Sequence, residues 1–205
     1  MTDEEIKTVI NFNEFKFKEK GSLFIGQSFK IDRESDFSEI KTRIKKEYYD
    51  ATHHCFAYKL LDGTFKYSDD GEPNGTAGIR IYNAIQHFEL TKTLVFVIRY
   101  YGGTKLGVGP LGKAYYYAAE EVLKNAEIKK LIKHIKIEIR YDFEYSSTIH
   151  YCLNKYNAKI LESNFEQIPS ITSMIKPLYF SDLEKNLIEK SSNNVKIIQL
   201  GEEFI

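Results

Sequence analysis

The chain has 205 residues, 42% of them hydrophobic and 28% charged, enough for one large domain or two small ones with packed cores. Its 29 basic and 29 acidic residues cancel, and they do so on both sides of Lys130, with 20 against 19 up to that residue and 9 against 10 after it. This balance excludes a broad basic face for nucleic acid, so any such site must be local, and two cysteines exclude a disulfide framework or a zinc ribbon.

The opening MTDEEIKTVI is acidic and has no apolar signal core. No apolar run approaches the ~20 residues that span a membrane, so no membrane partner is expected, and the cytoplasm follows by elimination. Phe12–Phe17 alternates apolar and polar residues as a half-buried strand does. Gly21 and Ser22 read as a turn, and Leu23–Ile31 as a second strand. Ser35 is positioned to cap a helix carrying Phe37, Ile40, Ile44 and Tyr48 on one side. Lys41, Arg43, Lys45 and Lys46 fall largely on the others, as a solvated face.

Strand character returns at Cys55–Leu61, breaks at Asp62-Gly63 and resumes at Thr64–Tyr67, a hairpin signal. Cys55 lies in this apolar stretch and reads as a small buried hydrophobe. His53 and His54 precede it. Adjacent strand residues point to opposite faces, so the pair is not a shared metal site.

Next comes Ser68-Asp69-Asp70-Gly71-Glu72-Pro73-Asn74-Gly75-Thr76-Ala77-Gly78. Three carboxylates within four residues repel one another unless a metal, a base, backbone N–H groups or open water relieves them. Oxygen ligands so clustered suit Mg²⁺ or Ca²⁺, but the calcium-loop spacing is missing. The alternatives are a turn in which Asp69 and Asp70 bond to backbone while Glu72 pairs with a base, or a functional loop. Acid–base chemistry by His53 with Asp69, Asp70 or Glu72 can be drawn, though the spacing does not select it. No metal and no cofactor is assigned. Thr76 is the candidate N-cap of a helix over Ala77–His87.

Thr93–Tyr100 (TLVFVIRY) is nearly all apolar, as a strand buried on both faces is. It leads into Tyr101-Gly102-Gly103-Thr104-Lys105-Leu106-Gly107-Val108-Gly109. Glycines before a helix let backbone N–H groups turn toward one point, and the helix N-terminus adds positive potential. Arg99, Gly102, Gly103, Lys105 and Gly107, with Lys113 on the helix that follows, are therefore candidates for an anion or RNA site. The spacing is neither that of a P-loop nor that of a dinucleotide fingerprint, and glycines that merely turn a corner are the alternative. Pro110 suits the first turn of a helix whose inner face is Leu111, Tyr115, Ala118, Ala119, Val122 and Leu123.

A domain boundary is expected at Lys129–Lys133, giving domains 1–130 and 131–205. Beyond it Ile135–Tyr141 alternates as a one-sided strand. Ile149, Cys152, Leu153 and Tyr156 mark an amphipathic helix. Strands follow near Ala158–Phe165 and Ile171–Pro177. Ser181-Asp182-Leu183-Glu184 reads as a capping box opening a helix, and Val195–Leu200 as a last strand. The order β-α-β-β-α-β is the ferredoxin-like plan, so the fold class is α+β.

Taken together, Asp50-Ala51-Thr52-His53 with Cys55, the block Asp69, Asp70, Gly71, Glu72, Pro73, Asn74, Gly75, Thr76, Ala77, Gly78, and Arg99 through Gly107 resemble the YigZ/IMPACT family. Phe24-Ile25-Gly26 fits the family's opening strand. The resemblance runs from about Gly21 to Leu123. It implies an N-terminal domain like ribosomal protein S5 domain 2, shared with domain IV of elongation factor G, and a second domain like domain V of that factor. Two such domains in succession imply a translation regulator contacting RNA or the ribosome, or a translation-related protein. The family assigns no catalytic residues. Eukaryotic relatives compete for the activator of a general-control kinase through an additional N-terminal domain, so that partner is not carried over. This chain departs from the family pattern at Arg80, where Pro is usual, and at Pro110-Leu111-Gly112-Lys113, where Gly-Leu-Val-Arg is usual. Pro110 removes one N–H from the glycine corner, Lys113 lacks the bidentate fork of an Arg, and Arg80 adds a charge that either compensates for these changes or pairs with Glu72. The acidic turn and the glycine corner are expected to line one pocket.

Overall fold

The computed structural model describes residues 4–165 and 167–205. In chain order the elements are β1 (Glu5–Val9), β2 (Asn13–Glu19), β3 (Ser22–Lys30), α1 (Glu34–Glu47), β4 (His53–Lys59), β5 (Phe65–Ser68), α2 (Gly78–His87), β6 (Thr93–Tyr100) and α3 (Val108–Lys124). They continue with β7 (Ile128–Tyr141), a 3-10 turn at Phe143–Tyr145, α4 (Ser146–Lys155), β8 (Lys159–Asn164), β9 (Ser170–Ile175), α5 (Pro177–Lys190) and β10 (Val195–Phe204). The chain divides into two compact units, one of Lys7–Lys130 and one of Leu131–Ile205 together with the described residues up to Ile6. The first unit therefore does not hold Glu4, Glu5 or Ile6, unlike the 1–130 division read from sequence.

The first unit is an antiparallel sheet of order β2-β3-β6-β4-β5 with helices on both faces. β6 lies at its centre, and its alternation sorts the two cores. Leu94, Phe96 and Ile98 pack with Phe37 and Ile44 of α1 on one face. Val95 and Val97 pack with Ile81 and Ile85 of α2 and with Leu111, Tyr115 and Val122 of α3 on the other. An all-apolar strand needs two covered faces, and here an antiparallel sheet supplies them. The Asp62-Gly63 turn joins β4 to β5 in an antiparallel hairpin, as its sequence signals.

The second unit follows the ferredoxin-like plan. Its strands run in the order β10-β7-β9-β8, all antiparallel. The chain's start adjoins them, with the Glu4 carbonyl accepting from the Lys133 N–H at 2.7 Å. Ile137 and Ile139 of β7 pack with Ile149 and Leu153 of α4 and Leu183 and Leu187 of α5.

Local signals misplace three helix starts. Ser35 lies inside α1, and the helix is opened by Asp36, whose carboxylate accepts from the N–H groups of Asp32 and Arg33 at 2.8 and 3.1 Å. α5 begins at Pro177, whose fixed φ suits a first turn, so the Ser181–Glu184 box lies within the helix. Thr76 does not cap α2, as described below. β1 is missing from the sequence reading because a five-residue strand with charges at Glu5 and Lys7 has too short a pattern. Among the described residues, no helix is long and apolar enough to cross a membrane.

Candidate functional site

The acidic loop between β5 and α2 is organised by its own carboxylates. Asp69 Oδ1 accepts from the N–H groups of Ala77 and Gly78 at 2.9 and 2.8 Å, and Oδ2 accepts from that of Gly75 at 3.0 Å. Asp69 therefore caps α2 across the loop, placing a negative charge at a helix N-terminus where two otherwise unpaired donors need it. The Thr76 hydroxyl instead donates to the Pro73 carbonyl at 2.6 Å. Gly78 lets the helix start pass the β5 end, since a Cβ there would lie 2.7 Å from the Ser68 nitrogen. Asp70 and Gly71 take left-handed conformations, φ 43° and 88°, and turn the chain back toward β4. There Asp70 Oδ2 accepts from the His54 N–H at 2.7 Å. The Asp70 carbonyl accepts from Nδ1–H of His53 at 2.9 Å, which leaves Nε2 of that ring toward Glu72, 3.7 Å away. His54 turns the opposite way and donates from Nε2 to the Tyr48 carbonyl at 2.8 Å.

Glu72 is the carboxylate that goes inward, 8% exposed. Its Oε1 accepts from Nη1 of Arg99 at 2.6 Å and from the Tyr115 hydroxyl at 2.7 Å. Arg99, at the end of β6 and 4% exposed, also donates from Nη2 to the Ser22 hydroxyl at 3.2 Å and lies over the rings of Phe24 and Tyr101. The same hydroxyl oxygen accepts from the Gly102 N–H at 3.1 Å. Gly102 is required by close approach: a Cβ on it would fall 1.9 Å from the Gly21 carbonyl carbon. Burial, with Cys55 and the Glu72 charge nearby, pushes the Tyr115 hydroxyl far up, so it stays a donor. Burial likewise pushes the Cys55 thiol up, and Cys55 donates to the Asp69 carbonyl at 3.0 Å as a buried neutral group.

Above this network lies a cleft of about 440 Å³. His53, Glu72 and Arg99 form its polar base; Pro73, Tyr101, Leu106, Val108 and Leu111 form apolar walls; Thr52, Lys105 and Gly107 complete it. The acidic turn and the glycine corner do meet. Gly107 is the N-cap of α3, and no side chain caps that helix. Since Pro110 has no N–H, the N–H groups of Val108 and Gly109 are the ones left for solvent or a ligand. A cleft with apolar walls, few polar groups and a helix N-terminus at its edge suits a partly apolar ligand bearing negative charge.

Residues 20–123 match the Impact N-terminal domain. The chain belongs to the IMPACT family. An IMPACT family member of Haemophilus influenzae is 30% identical over 92% of this chain and 94% of its own. IMPACT family member YvyE of Bacillus subtilis is 30% identical over 91% and 81%, and IMPACT family member YigZ of Escherichia coli is 24% identical over 78% and 80%. A solved structure described as a crystal structure of an hypothetical protein aligns with TM-score 0.70 at 22% identity, covering 95% of this chain and 97% of that one, a likeness of fold.

Within this IMPACT family member the expected site residues separate into groups. Glu72, Pro73, Arg99, Lys105, Gly107 and His53 gather at the cleft. Asp69 and Asp70 are committed to backbone N–H groups and Gly75, Thr76 and Gly78 to the turn they shape, so the drawn role of the two aspartates in acid–base chemistry has no geometric support. Gly102 braces β3, and Gly103 is exposed with φ 86°. Lys113 lies elsewhere, beside Phe17, Glu19 and Tyr117, because it sits two residues past the cleft-lining Leu111, about 200° round α3. Arg80 does not pair with Glu72; its Nε donates to the Gly75 carbonyl at 3.2 Å. Ser22 and Tyr115 were missed as network members. The signal available for Tyr115 was a hydroxyl on the inner face of a helix, which demands a buried acceptor.

Proposed function

We propose that this chain is a cytoplasmic, non-catalytic regulator that binds RNA of the translation machinery through the cleft between its two loops. The observation that carries the reading is the convergence of Lys105, the uncapped N-terminus of α3 and the exposed ring of Tyr101 on one cleft. A phosphate fits the helix end and Lys105, while an unstacked base fits an aromatic face. The net charge of zero agrees with a local contact rather than a long electrostatic track. The resemblance to translation-factor domains adds analogy of fold, which sets a context and not an activity.

Arg99 belongs to the support of the cleft, because its charge is already neutralised by Glu72. The test therefore uses Lys105→Ala and Tyr101→Ala. Each should weaken binding of a labelled single-stranded RNA and reduce co-sedimentation with ribosomes, with the melting temperature nearly unchanged. Wild-type protein that neither binds the RNA nor travels with ribosomes would end this reading. A second reading, a protein-interaction module whose motif residues hold the fold, draws on the internal bonding of Asp69, Asp70 and Glu72. It expects rim variants to leave RNA binding unchanged.

A further inference from the structure

The first unit's sheet ends on one side at β2, whose outer edge pairs with no other strand among the described residues. The hairpin decides which of its backbone groups point outward. Lys20 and Gly21, with φ 46° and 81°, are the two turn residues between β2 and β3, so the flanking pair Glu19 and Ser22 exchanges hydrogen bonds. Alternation along the strand then directs the N–H and C=O groups of Asn13, Phe15, Phe17 and Glu19 at β3, and those of Glu14, Lys16 and Lys18 outward. Among the described residues no backbone hydrogen bond reaches the outward groups.

The two faces of β2 are unlike. Glu14, Lys16 and Lys18 share one of them. Lys16 is bound to Glu14 at 2.8 Å, while Lys18 is exposed and in no ion pair with a described residue. Phe15 and Phe17 share the other, where Tyr117 of α3, 43% exposed, stands edge-on to both rings at 5.8 and 5.0 Å. Lysines on an open edge discourage pairing with an apolar strand. A second β2, laid antiparallel over the full length of the first, meets different conditions. Glu14 then faces Lys18 of the other copy, Phe15 faces its Phe17, and Asn13 its Glu19. Lys16 faces Lys16 across the two-fold axis, each already held by its own Glu14. The outward groups of Glu14, Lys16 and Lys18 meet those of Lys18, Lys16 and Glu14, whereas a slip of one residue would set them against groups already bonded to β3.

We propose that this chain forms a two-fold symmetric dimer by pairing β2 with β2 of a second copy, antiparallel and centred on Lys16. The two five-stranded sheets become one. The edge is self-complementary, as a two-fold interface requires, with an ion pair and an aromatic pair on each side of the axis. The cleft residues take no part, and the dimer does not depend on RNA binding.

The test is sedimentation velocity of the full chain across a micromolar concentration series, with amide exchange followed by NMR. The expected result is a reversible dimer, with exchange at Glu14, Lys16 and Lys18 slowing as concentration rises. Lys18→Glu sets like charges against Glu14 on both sides of the axis and should weaken the dimer about tenfold. Lys16→Pro removes an N–H that the fold does not use, so it should keep the melting temperature and abolish the dimer. Lys16→Cys should form a disulfide-linked dimer under mild oxidation, because residues paired at the axis have Cα atoms about 5.5 Å apart. Lys18→Cys should not, since its counterpart lies about 13 Å away. Cys55 and Cys152 are buried and do not interfere. The proposal is overturned by a chain that stays monomeric throughout the series, by a dimer that Lys16→Pro leaves intact, or by Lys18→Cys cross-linking as readily as Lys16→Cys. Exchange in β2 that slows only when RNA or a foreign peptide is added would give the edge to another occupant and also overturn it.

Discussion

Glu72→Ala is the substitution whose cost the network sets most sharply. It removes the carboxylate that accepts from Arg99 Nη1 and from the Tyr115 hydroxyl, while leaving a guanidinium whose side chain is 5% exposed. A buried charge that loses its partner costs about 3–5 kcal/mol, and the orphaned hydroxyl adds about 1–3 kcal/mol. Against a domain stability of roughly 5–15 kcal/mol, that is a large fraction of the total. The decisive assay is a double-mutant cycle by urea unfolding, followed by circular dichroism. Arg99→Met leaves the buried Glu72 carboxylate with the Tyr115 hydrogen bond and without its guanidinium, and should also be costly. Glu72→Ala with Arg99→Met removes both charges and should cost less than the sum of the singles by about 2 kcal/mol or more, the signature of groups sharing one network. Additive costs, or a Glu72→Ala chain within about 1 kcal/mol of wild type, would refute the view that this ion pair braces the cleft.

Asp69→Ala strips three backbone donors of their acceptor and should lower stability by about 2 kcal/mol, the upper range for a helix cap; a thermal melt unchanged from wild type would contradict it. Cys55 and Cys152 are both buried, and burial pushes both thiols up. Native protein should therefore show no rapidly reacting thiol at pH 8, and two after unfolding in urea. A raised thiol pKa favours the folded state below the unfolded value and loses that contribution as pH rises through the folded one, so the effect on stability appears only in alkali. Glu14 has the opposite sign. Its lowered folded pKa contributes stability above the unfolded value of about 4.3 that disappears as pH falls through the folded value. Glu14→Gln should thus lose stability at pH 7 and progressively less as pH falls from about 4 through the folded value, measured by urea midpoints across that range.

Periodicity carried most of the fold because it reports which face of an element is covered. TLVFVIRY fits a doubly buried strand, and the alternation from Ile135 to Tyr141 fits a one-sided one. Helix starts were less legible because capping is contextual: Asp69 reaches eight and nine residues forward to cap α2, a distance no local capping rule covers. The cleft was legible as two suspicious loops, since clustered carboxylates and clustered glycines both need a physical excuse. Their partners were not. Nothing in the spacing of Glu72 and Arg99 says that they are 2.6 Å apart, because the pairing is set by β6 running beside β4 in the sheet.

The structure also divides labour within the motif. Where carboxylates are bonded inward and glycines are demanded by backbone contact, the residues specify a shape and need not touch a ligand. The groups left with unused bonding capacity at the cleft are others: the first N–H groups of α3, Lys105 and the outer face of Tyr101, together with Val108, 67% exposed. Substitutions in the first set should therefore be read through stability, and those in the second through binding at constant stability. Pro110 bears on the second set alone. By deleting one donor at the helix start it narrows what an anion can engage to two N–H groups and a lysine, so Pro110→Gly should strengthen binding of a single-stranded RNA without raising the melting temperature. RNA affinity that falls or stays level in that variant would place the anion away from the end of α3.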